Sequence, residues 1–551
     1  MTFNRRIINV CDAGGERMNF LLVAINAKYI HSNPAVYSLQ GFAERVYPGV
    51  VSVSEYTINH HFDHILSGIF SQHPDAIGIS TYIWNIEEVK KLLRELPKIL
   101  PDMDIWLGGP EVSYHYEEFF KNYPKVRGVI VGEGETSFTR IVGAYVKAEN
   151  ESGDEIVEPD FSDIPNLALR ERPEVIAHTT IDMDALPFIY EDGMSTFDNR
   201  IVYYESSRGC PFRCSYCLSS LDKTTRFRSL PFVFRELQYF LDQEVPQVKF
   251  IDRTFNADKV RTKAIWNYIL EHDNGKTNFH FEIAGELMDK EEIDLLRKMR
   301  PGLVQLEIGV QTTNQDALIA VNRSLSLHKL TEVVRELTKA HNVHIHLDLI
   351  AGLPYEGLRS FRSSFNDVYA MAPTQLQLGF LKVLKGSPIE ADCEKYGILY
   401  SDTAPYEVLA TRWLKFEELQ HLKYVAEMVE IYYNSNQFTK ALPYLVTAFD
   451  SPYDLFSALA DYYVEKNYFE APPARAKKYE ILIAFANEKT TLDCEEILEA
   501  LTMDYYLREN PKSKPDFVKQ PPAKELFDMK YRDPLTGNFR LMEDTEVSEE
   551  Q

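Results

Sequence analysis

Cysteine is scarce in this chain: six residues in 551, three of them in the run from Glu205 to Cys217 and the others, Cys11, Cys393 and Cys494, isolated. That leaves no disulfide framework and points to a reducing compartment, so a cytoplasmic protein is expected. No stretch approaches the roughly 18 apolar residues of a membrane span. The N-terminus lacks the apolar run of a signal peptide. Basic excess is missing too. Lys and Arg number 59 against 83 Asp and Glu, a net charge of −24, which gives no general attraction for phosphate backbones. Neither nucleic acid nor a membrane is expected as a partner. No G-x-G-x-x-G turn occurs, which argues against nicotinamide and flavin.

What is present suffices for several cores. Hydrophobic residues make up 45% of the 551 positions, and a chain of this length divides into about three domains. Residues 1–17 read as a leader or a misassigned start. Asp12-Ala-Gly-Gly-Glu-Arg17 precedes Met18, and strand-like sequence begins at once, so Met18 is expected as the natural start. The end, Glu543 to Gln551, reads as a solvated acidic tail.

From Met18 to about residue 150, short apolar runs alternate with helical stretches. Strands are expected at Phe20–Ile25, Ala76–Ser80, Ile105–Leu107 and Gly128–Val131, apolar on both faces as central parallel strands are. Polar or glycine turns follow three of them: Ser80-Thr81, Gly108-Gly109-Pro110-Glu111 and Gly132-Glu133-Gly134-Glu135. Ligands of open α/β sheets bind beyond the carboxyl ends of strands, where glycine admits them to the backbone. His60, His61 and His64 lie at helical spacing, which could suggest a metal, but with no acidic or cysteine partner near in sequence they read as a solvated helix face. The Asp-, Glu- and Pro-rich stretch 151–195 reads as a linker.

Cys210, Cys214 and Cys217 are spaced C-x3-C-x2-C. Three thiolates on one short loop can hold three irons of a 4Fe-4S cluster and leave the fourth iron open. A structural zinc site would need a fourth Cys or His at a regular offset, and none follows.

Six strand-like segments come next, near 201–206, 248–252, 279–284, 303–309, 343–350 and 375–381, each with a helical stretch after it. Their alternation is informative. Phe279, Phe281 and Ile283 oppose His280 and Glu282. Val304, Leu306, Ile308 and Val310 oppose Gln305, Glu307 and Gln311. Val343, Ile345, Leu347 and Leu349 oppose His344, His346 and Asp348, and Leu376, Leu378 and Phe380 oppose Gln375 and Gln377. With the apolar face against helices, the other face must line a polar interior, since parallel sheets are covered on both sides. Buried polar groups need partners, so a cavity for ligands is expected. His344 and His346 can be read as substrate contacts or as satisfied interior histidines. From about residue 400 the pattern is helical and rich in aromatics, among them Tyr432, Tyr453, Phe456, Tyr462 and Tyr463, which read as the packing of a helical cap.

With Tyr216 just before its last cysteine, the loop resembles the signature of radical S-adenosylmethionine (SAM) enzymes. The resemblance implies that Cys210, Cys214 and Cys217 bind the cluster and that its open iron chelates SAM, which is split to a 5′-deoxyadenosyl radical. Glu307-Ile-Gly-Val-Gln311-Thr resembles the fourth-strand element that meets SAM, and Arg323 matches a basic residue after it. Asp348-Leu-Ile-Ala-Gly352-Leu-Pro354-Tyr-Glu356 resembles the turn near the adenine. The second strand ends at Asp252-Arg-Thr-Phe-Asn256, without the glycine pair of many relatives. The three turns of the first domain, with Ser80, Thr81, Trp84, Asn85, Gly108, Gly109, Glu111, Gly132, Glu133, Gly134 and Glu135, resemble the cobalamin-binding domain fused to one branch of that family. The D-x-H-x-x-G motif is missing, since Asp63-His64 and Gly68 are out of register. This departure implies that any bound cobalamin lacks that histidine ligand, with Trp84 and Asn85 as candidates for the lower face of its cobalt. The alternative is a sheet inherited without its cofactor.

The resemblance, from residue 18 to about 485, implies an α/β chain with an N-terminal Rossmann-like cobalamin-binding domain (18–150), a partial (β/α)6 radical SAM barrel (196–399) and a helical C-terminal domain (400–551). It resembles the subfamily whose helical C-terminal domain is uncharacterised. It implies a cobalamin-dependent enzyme that methylates an unactivated carbon of a small-molecule or peptide substrate and is served by a reductant such as flavodoxin or ferredoxin. A non-methylating rearrangement or cyclisation stands as an alternative, and a non-catalytic cobalamin or redox sensor as another. The lack of a second cysteine cluster argues against auxiliary clusters and against methylthiotransferases.

Overall fold

The computed structural model describes residues 18–152, 157–191, 193–222, 224–508 and 515–518, so the leader and the acidic tail lie outside the described residues. The chain forms two compact units, one ending at Ile201 and one beginning at Val202. No helix among the described residues is long and apolar enough to cross a membrane.

The first unit is built on β1 (Phe20–Asn26), β2 (Val51–Thr57), β3 (Ala76–Ser80), β4 (Asp104–Gly108), β5 (Val126–Ile130) and β6 (Leu167–Leu169). Their order is β2-β1-β3-β4-β5-β6, parallel except for β6. Every residue of β1 is buried, as a central strand covered on both faces should be. The chain runs outward from β1 to β2 and then crosses to β3, so direction reverses between β1 and β3. Ligands of open sheets bind at such a reversal. The sequence reading missed β2 although Val51-Ser52-Val53-Ser54 alternates. It also missed β6, three residues long and too short to show a period. The helix Ile86–Ile99 shows why these segments coil: Ile86, Val89, Leu92, Leu93 and Leu96 recur at three-to-four spacing and all are buried. Phe20 and Phe138 meet edge to face at 5.0 Å in the core. Glu55 on β2 accepts from Arg200 (2.5 Å), Tyr37 (2.7 Å) and Asn26 (2.8 Å). This network fastens the end of the unit to its sheet.

The second unit holds β7 (Val202–Tyr204), then the short pair β8 (Ser207–Arg208) and β9 (Arg226–Phe227), and β10 (Gln247–Phe250), β11 (Asn278–Ile283), β12 (Val304–Gln311), β13 (His344–Ala351) and β14 (Gln375–Phe380). Six strands lie side by side in the order β14-β13-β12-β11-β10-β7, all parallel. No ladder joins β7 to β14 among the described residues, so the barrel is partial. Phe279, Phe281, Val304, Leu306, Ile308, Ile345, Leu347 and Leu349 are fully buried. The polar alternates share the opposite face, as the two-residue period requires.

The outer edge of β14 does not offer a free ladder throughout. Asn434 accepts from the Leu376 N–H (2.9 Å) and donates to its carbonyl (3.1 Å), which satisfies that residue as a neighbouring strand would. Asn434 belongs to the helical region that contains Phe416–Val429, Ala441–Val446, Pro452–Glu465, Arg475–Lys489 and Cys494–Arg508. Tyr432, Tyr453, Phe456, Tyr462 and Tyr463 are buried there, and the Tyr432 and Tyr463 hydroxyls meet at 2.6 Å. They pack a helical core, as expected from their spacing.

Candidate active site

Hairpin β8–β9 brackets the cysteine loop. Gly209 has φ +95°, and a Cβ there would lie 2.1 Å from the Thr224 carbonyl oxygen. Only glycine allows this closure. The loop is sewn down at three points. Ser215 N–H donates to Val321 O, Ile389 N–H to Ser215 O, and Asn322 Nδ2 to Arg213 O, each at 2.9 Å. Asp252, buried just after β10, accepts from Ser206 N (2.9 Å), Ser206 Oγ (2.7 Å) and Ser207 Oγ (2.5 Å). It fixes the strand that enters the loop, and burial pushes its carboxyl up to about 6. Asn256 clips Ala284 through both its N–H and its carbonyl at 2.9 Å. Both residues are internal fasteners.

Cys210 and Cys214 are buried and Cys217 is half-buried. Thr254 Oγ1 lies 3.4 Å from Cys210 Sγ, and Arg323 Nη1 lies 3.5 Å from both Cys214 Sγ and Tyr216 Oη. Arg323 also donates to Gly309 O. Among the described residues no three Cys, His, Asp or Glu side chains converge as one metal ion requires. A 4Fe-4S cluster gives each thiolate its own iron and does not require such convergence.

At the carboxyl end of β12 a bulge between Gly309 and Gln311 turns Gln311 to φ +71°. Gln311 Oε1 and Arg323 Nε are buried and lack a hydrogen-bond partner. Such groups are costly to leave unmade, and a polar ligand at the barrel mouth would satisfy them. Gly352 turns the chain after β13 with φ +92°. Pro354 follows, and Tyr355 packs against Trp413 with ring centroids 4.6 Å apart. Glu356 is buried and accepts from Thr312 (2.6 Å) and Ser364 (3.0 Å), which locks that turn.

Deeper in the barrel, Glu307 accepts from His280 Nε2 (3.0 Å) and Lys249 Nζ (3.3 Å). Burial alone would raise its carboxyl, but His280, Lys249 and His346 outweigh that and hold it near 2. Lys249 was missed from sequence, although Val248 and Phe250 flank it in the same alternation. Burial, with Glu307 next in weight, pushes Asp348 up to about 8. Burial also lifts Glu282 to about 7 and pulls His344 and His346 down to about 4.

A pH dependence follows with a definite sign. A carboxyl whose folded pKa is raised contributes stability at low pH that is lost as pH climbs to the folded value. Glu282 and Asp348 therefore shed stability up to about 7 and about 8. The histidines change only below their ordinary 6.5 and Glu307 only below 4.5. The cofactor-free chain is expected to lose on the order of 2 kcal/mol between about pH 6.5 and 8.5, read as a falling denaturant midpoint. A flat or rising midpoint would contradict the burial of these two acids.

The turns of the first unit gather at the carboxyl edge of its sheet. Thr81 is buried, and both its N–H (2.8 Å) and its hydroxyl (2.7 Å) donate to Gly108 O. Gly109 has φ +109°, and a Cβ there would lie 2.4 Å from Thr81 O. Thr81, Gly108 and Gly109 thus shape backbone. Ser80 Oγ is 3.0 Å from Asn33 Nδ2. Gly132 has φ +84° with nothing within 4 Å of a Cβ, so its backbone faces open space, and its N–H approaches Ser113 Oγ at 3.4 Å. Gly134 opens the helix Glu135–Glu151. Glu111 is buried beside Thr81. Glu133 Oε2 accepts from Ile181 N (2.7 Å), and Glu135 Oε1 from Ser38 Oγ (3.3 Å).

Asn85 is engaged within its own turn. It is buried, its Oδ1 takes the Tyr82 N–H (2.8 Å), and its Nδ2 serves Ile25 O (3.1 Å) and Ser80 O (2.9 Å). It pins the turn, with both amide hydrogens spent on backbone carbonyls. Trp84 differs. It is 42% exposed, stacked on Tyr82 at 4.3 Å and held by Nε1 on Ile25 O. An exposed, fixed flat ring at the carboxyl edge of the sheet suits a broad planar ligand.

Three segments of the chain match known families. Residues 21–142 match the B12 binding domain family, residues 204–368 the Radical SAM superfamily, and residues 394–549 a family described as a protein of unknown function, DUF4080. The cobalamin-dependent radical SAM methyltransferase TokK of Streptomyces tokunonensis is 23% identical over 363 residues, 59% of this chain and 50% of that protein. The chain thus spans about half the length of that relative. An anaerobic magnesium-protoporphyrin IX monomethyl ester cyclase of Rubrivivax gelatinosus is 22% identical over 334 residues, 58% of either chain. The radical SAM methyltransferase TsrM of Kitasatospora setae, solved with cobalamin and a 4Fe-4S cluster bound, shares the fold. Its TM-score is 0.57 at 15% identity, over 71% of this chain and 82% of that one.

Proposed function

For a chain that belongs to the cobalamin-binding radical SAM enzymes, we propose methylation of an unactivated carbon on a small-molecule or peptide substrate. The observation that carries this reading is a three-cysteine loop and a glycine-edged B12-type sheet in one polypeptide. When bound, the 4Fe-4S cluster, SAM and cobalamin supply the radical and methyl-transfer chemistry, and the protein supplies position and electrostatics.

Cys210, Cys214 and Cys217 hold the cluster, with Thr254 and Arg323 placed against two of the sulfurs. Gln311 and Arg323 bring their unpartnered atoms to SAM, Glu307 offers a carboxylate steadied by Lys249 and His280, and the Gly352–Pro354 turn borders the same mouth. In the first unit the turns at Ser80, Thr81, Gly108, Gly109, Glu111, Gly132, Glu133, Gly134 and Glu135 would form the cobalamin rim, and Trp84 would offer its exposed ring to the corrin. The proposed domains are 18–150 for cobalamin, 151–195 as linker, 196–399 for the barrel and 400–551 as helical cap. A reduced flavodoxin or ferredoxin in the cytoplasm would donate the electron.

Anaerobic purification from cobalamin-fed cells, with corrin and iron counted per chain, tests this reading. Near-stoichiometric corrin beside about four irons supports it. Iron without corrin would remove methyl transfer and leave a radical SAM enzyme whose first domain does something else. The cyclase relative supports a second reading, ring formation without methylation; a product lacking the added methyl group would favour it.

A further inference from the structure

Most polar side chains inside the barrel satisfy one another. Lys249 and His280 close on Glu307, Arg253 Nη1 faces Glu282 at 3.9 Å, and Gln305 accepts from Gln247 at 3.2 Å. On strand β13 the His344 and His346 rings interact with Gln375 and Gln377 of the next strand, yet its pairing is incomplete. Its three successive inward residues, His344, His346 and Asp348, each carry a buried polar atom with no hydrogen-bond partner: Nδ1, Nε2 and Oδ1. His346 Nε2 and Asp348 Oδ1 stand 3.5 Å apart without hydrogen-bond geometry. Among the described residues, the only other inward side chain of the six strands in this state is Gln311. His344 is 7% exposed, so bulk water does not settle its ring.

Alternate residues of a strand are about 6.6 Å apart, so the strip runs roughly 13 Å along the barrel wall. His344 lies level with Gln305, six residues before Gln311 on β12 and away from the cysteine end. The strip therefore reaches from the mouth toward the floor.

We propose that His344, His346 and Asp348 form a recognition strip for an uncharged hydrogen-bonding segment of the substrate, an amide in the first instance. This rests on the proposed reaction inside the barrel and adds the chemical class of what enters it. The one full carboxylate of the wall, Glu307, is closed by Lys249 and His280. A substrate carboxylate would meet Glu307, and an ammonium would meet Lys249. What is left open is neutral at physiological pH, because burial holds both imidazoles down to about 4 and Asp348 up to about 8. Imidazole N–H, imidazole N and carboxyl O–H match the carbonyl and N–H of an amide. Free amides and peptides share that chemistry.

The test uses the full-length, anaerobically reconstituted protein with histidine labelled at Cε1. N-methylacetamide, acetate and methylammonium are titrated while the His344 and His346 carbon resonances are followed, assigned through His344→Gln and His346→Gln. N-methylacetamide is expected to shift both resonances, with and without SAM, and each variant to weaken its binding about tenfold. If a variant does not fold, difference signals from the unmodified protein with and without probe identify the responding rings. Preference for acetate or methylammonium, no response to any probe, or competition between SAM and N-methylacetamide would overturn the proposal. None of these signals requires SAM cleavage or corrin. A protein that binds the amide but takes up no corrin would defeat the methyl-transfer reading and leave the strip standing.

Discussion

Replacing Cys214 with alanine is expected to abolish deoxyadenosine formation from SAM and to remove most of the bound iron. Two remaining thiolates cannot hold three irons, and the open iron exists only when three are held. The position is sensitive for a second reason. The Arg323 guanidinium lies 3.5 Å from Cys214 Sγ and is half-buried, so losing the sulfur leaves a partly desolvated cation short of a partner. Iron analysis and chromatography of the nucleoside product check the outcome. Continued deoxyadenosine production at the parent rate would sink the assignment of the cluster to this loop.

The second large effect is on stability. Arg228 donates to both oxygens of Glu236, at 2.8 and 2.5 Å, and Tyr204 Oη donates to the same carboxylate at 2.7 Å. Arg228 and Glu236 are 4% and 1% exposed at their side chains. Arg228 N–H also reaches Ser206 O at 2.9 Å, so the pair ties the helix Leu230–Asp242 to β7 and to the chain entering the cysteine loop. Glu236→Ala would leave an uncompensated buried guanidinium and is expected to cost about 3–5 kcal/mol, seen as a lower denaturant midpoint for the second unit. The double variant Arg228→Met with Glu236→Leu removes both charges and keeps the volume. It is expected to recover most of the loss. Equal destabilisation by the single and double variants would show that packing, and not the charge, carries the effect.

Much of this was legible in the sequence because it is local. The cysteine spacing names its chemistry within eight residues. The two-residue alternation of β11, β12 and β13 states which side chains share a face, because successive residues of a strand point to opposite sides. The same rule would have added Lys249 and β2. Local spacing does not say what a side chain meets. Trp84 and Asn85 are neighbours in sequence, yet one presents an exposed ring and the other is consumed inside the turn. Arg323 reaches Cys214 across 109 residues, and Asn434 closes the edge of β14 across 58. Glu307 is held ionised by groups from β10 and β11.

The sequence alone therefore determined the faces, the cluster loop and the order of α/β units, since these follow from spacing along one segment. The tertiary structure decided which polar groups are spent on one another and which remain open on β13. That depends on the register between strands, and register is a property of the assembled sheet and of no single segment.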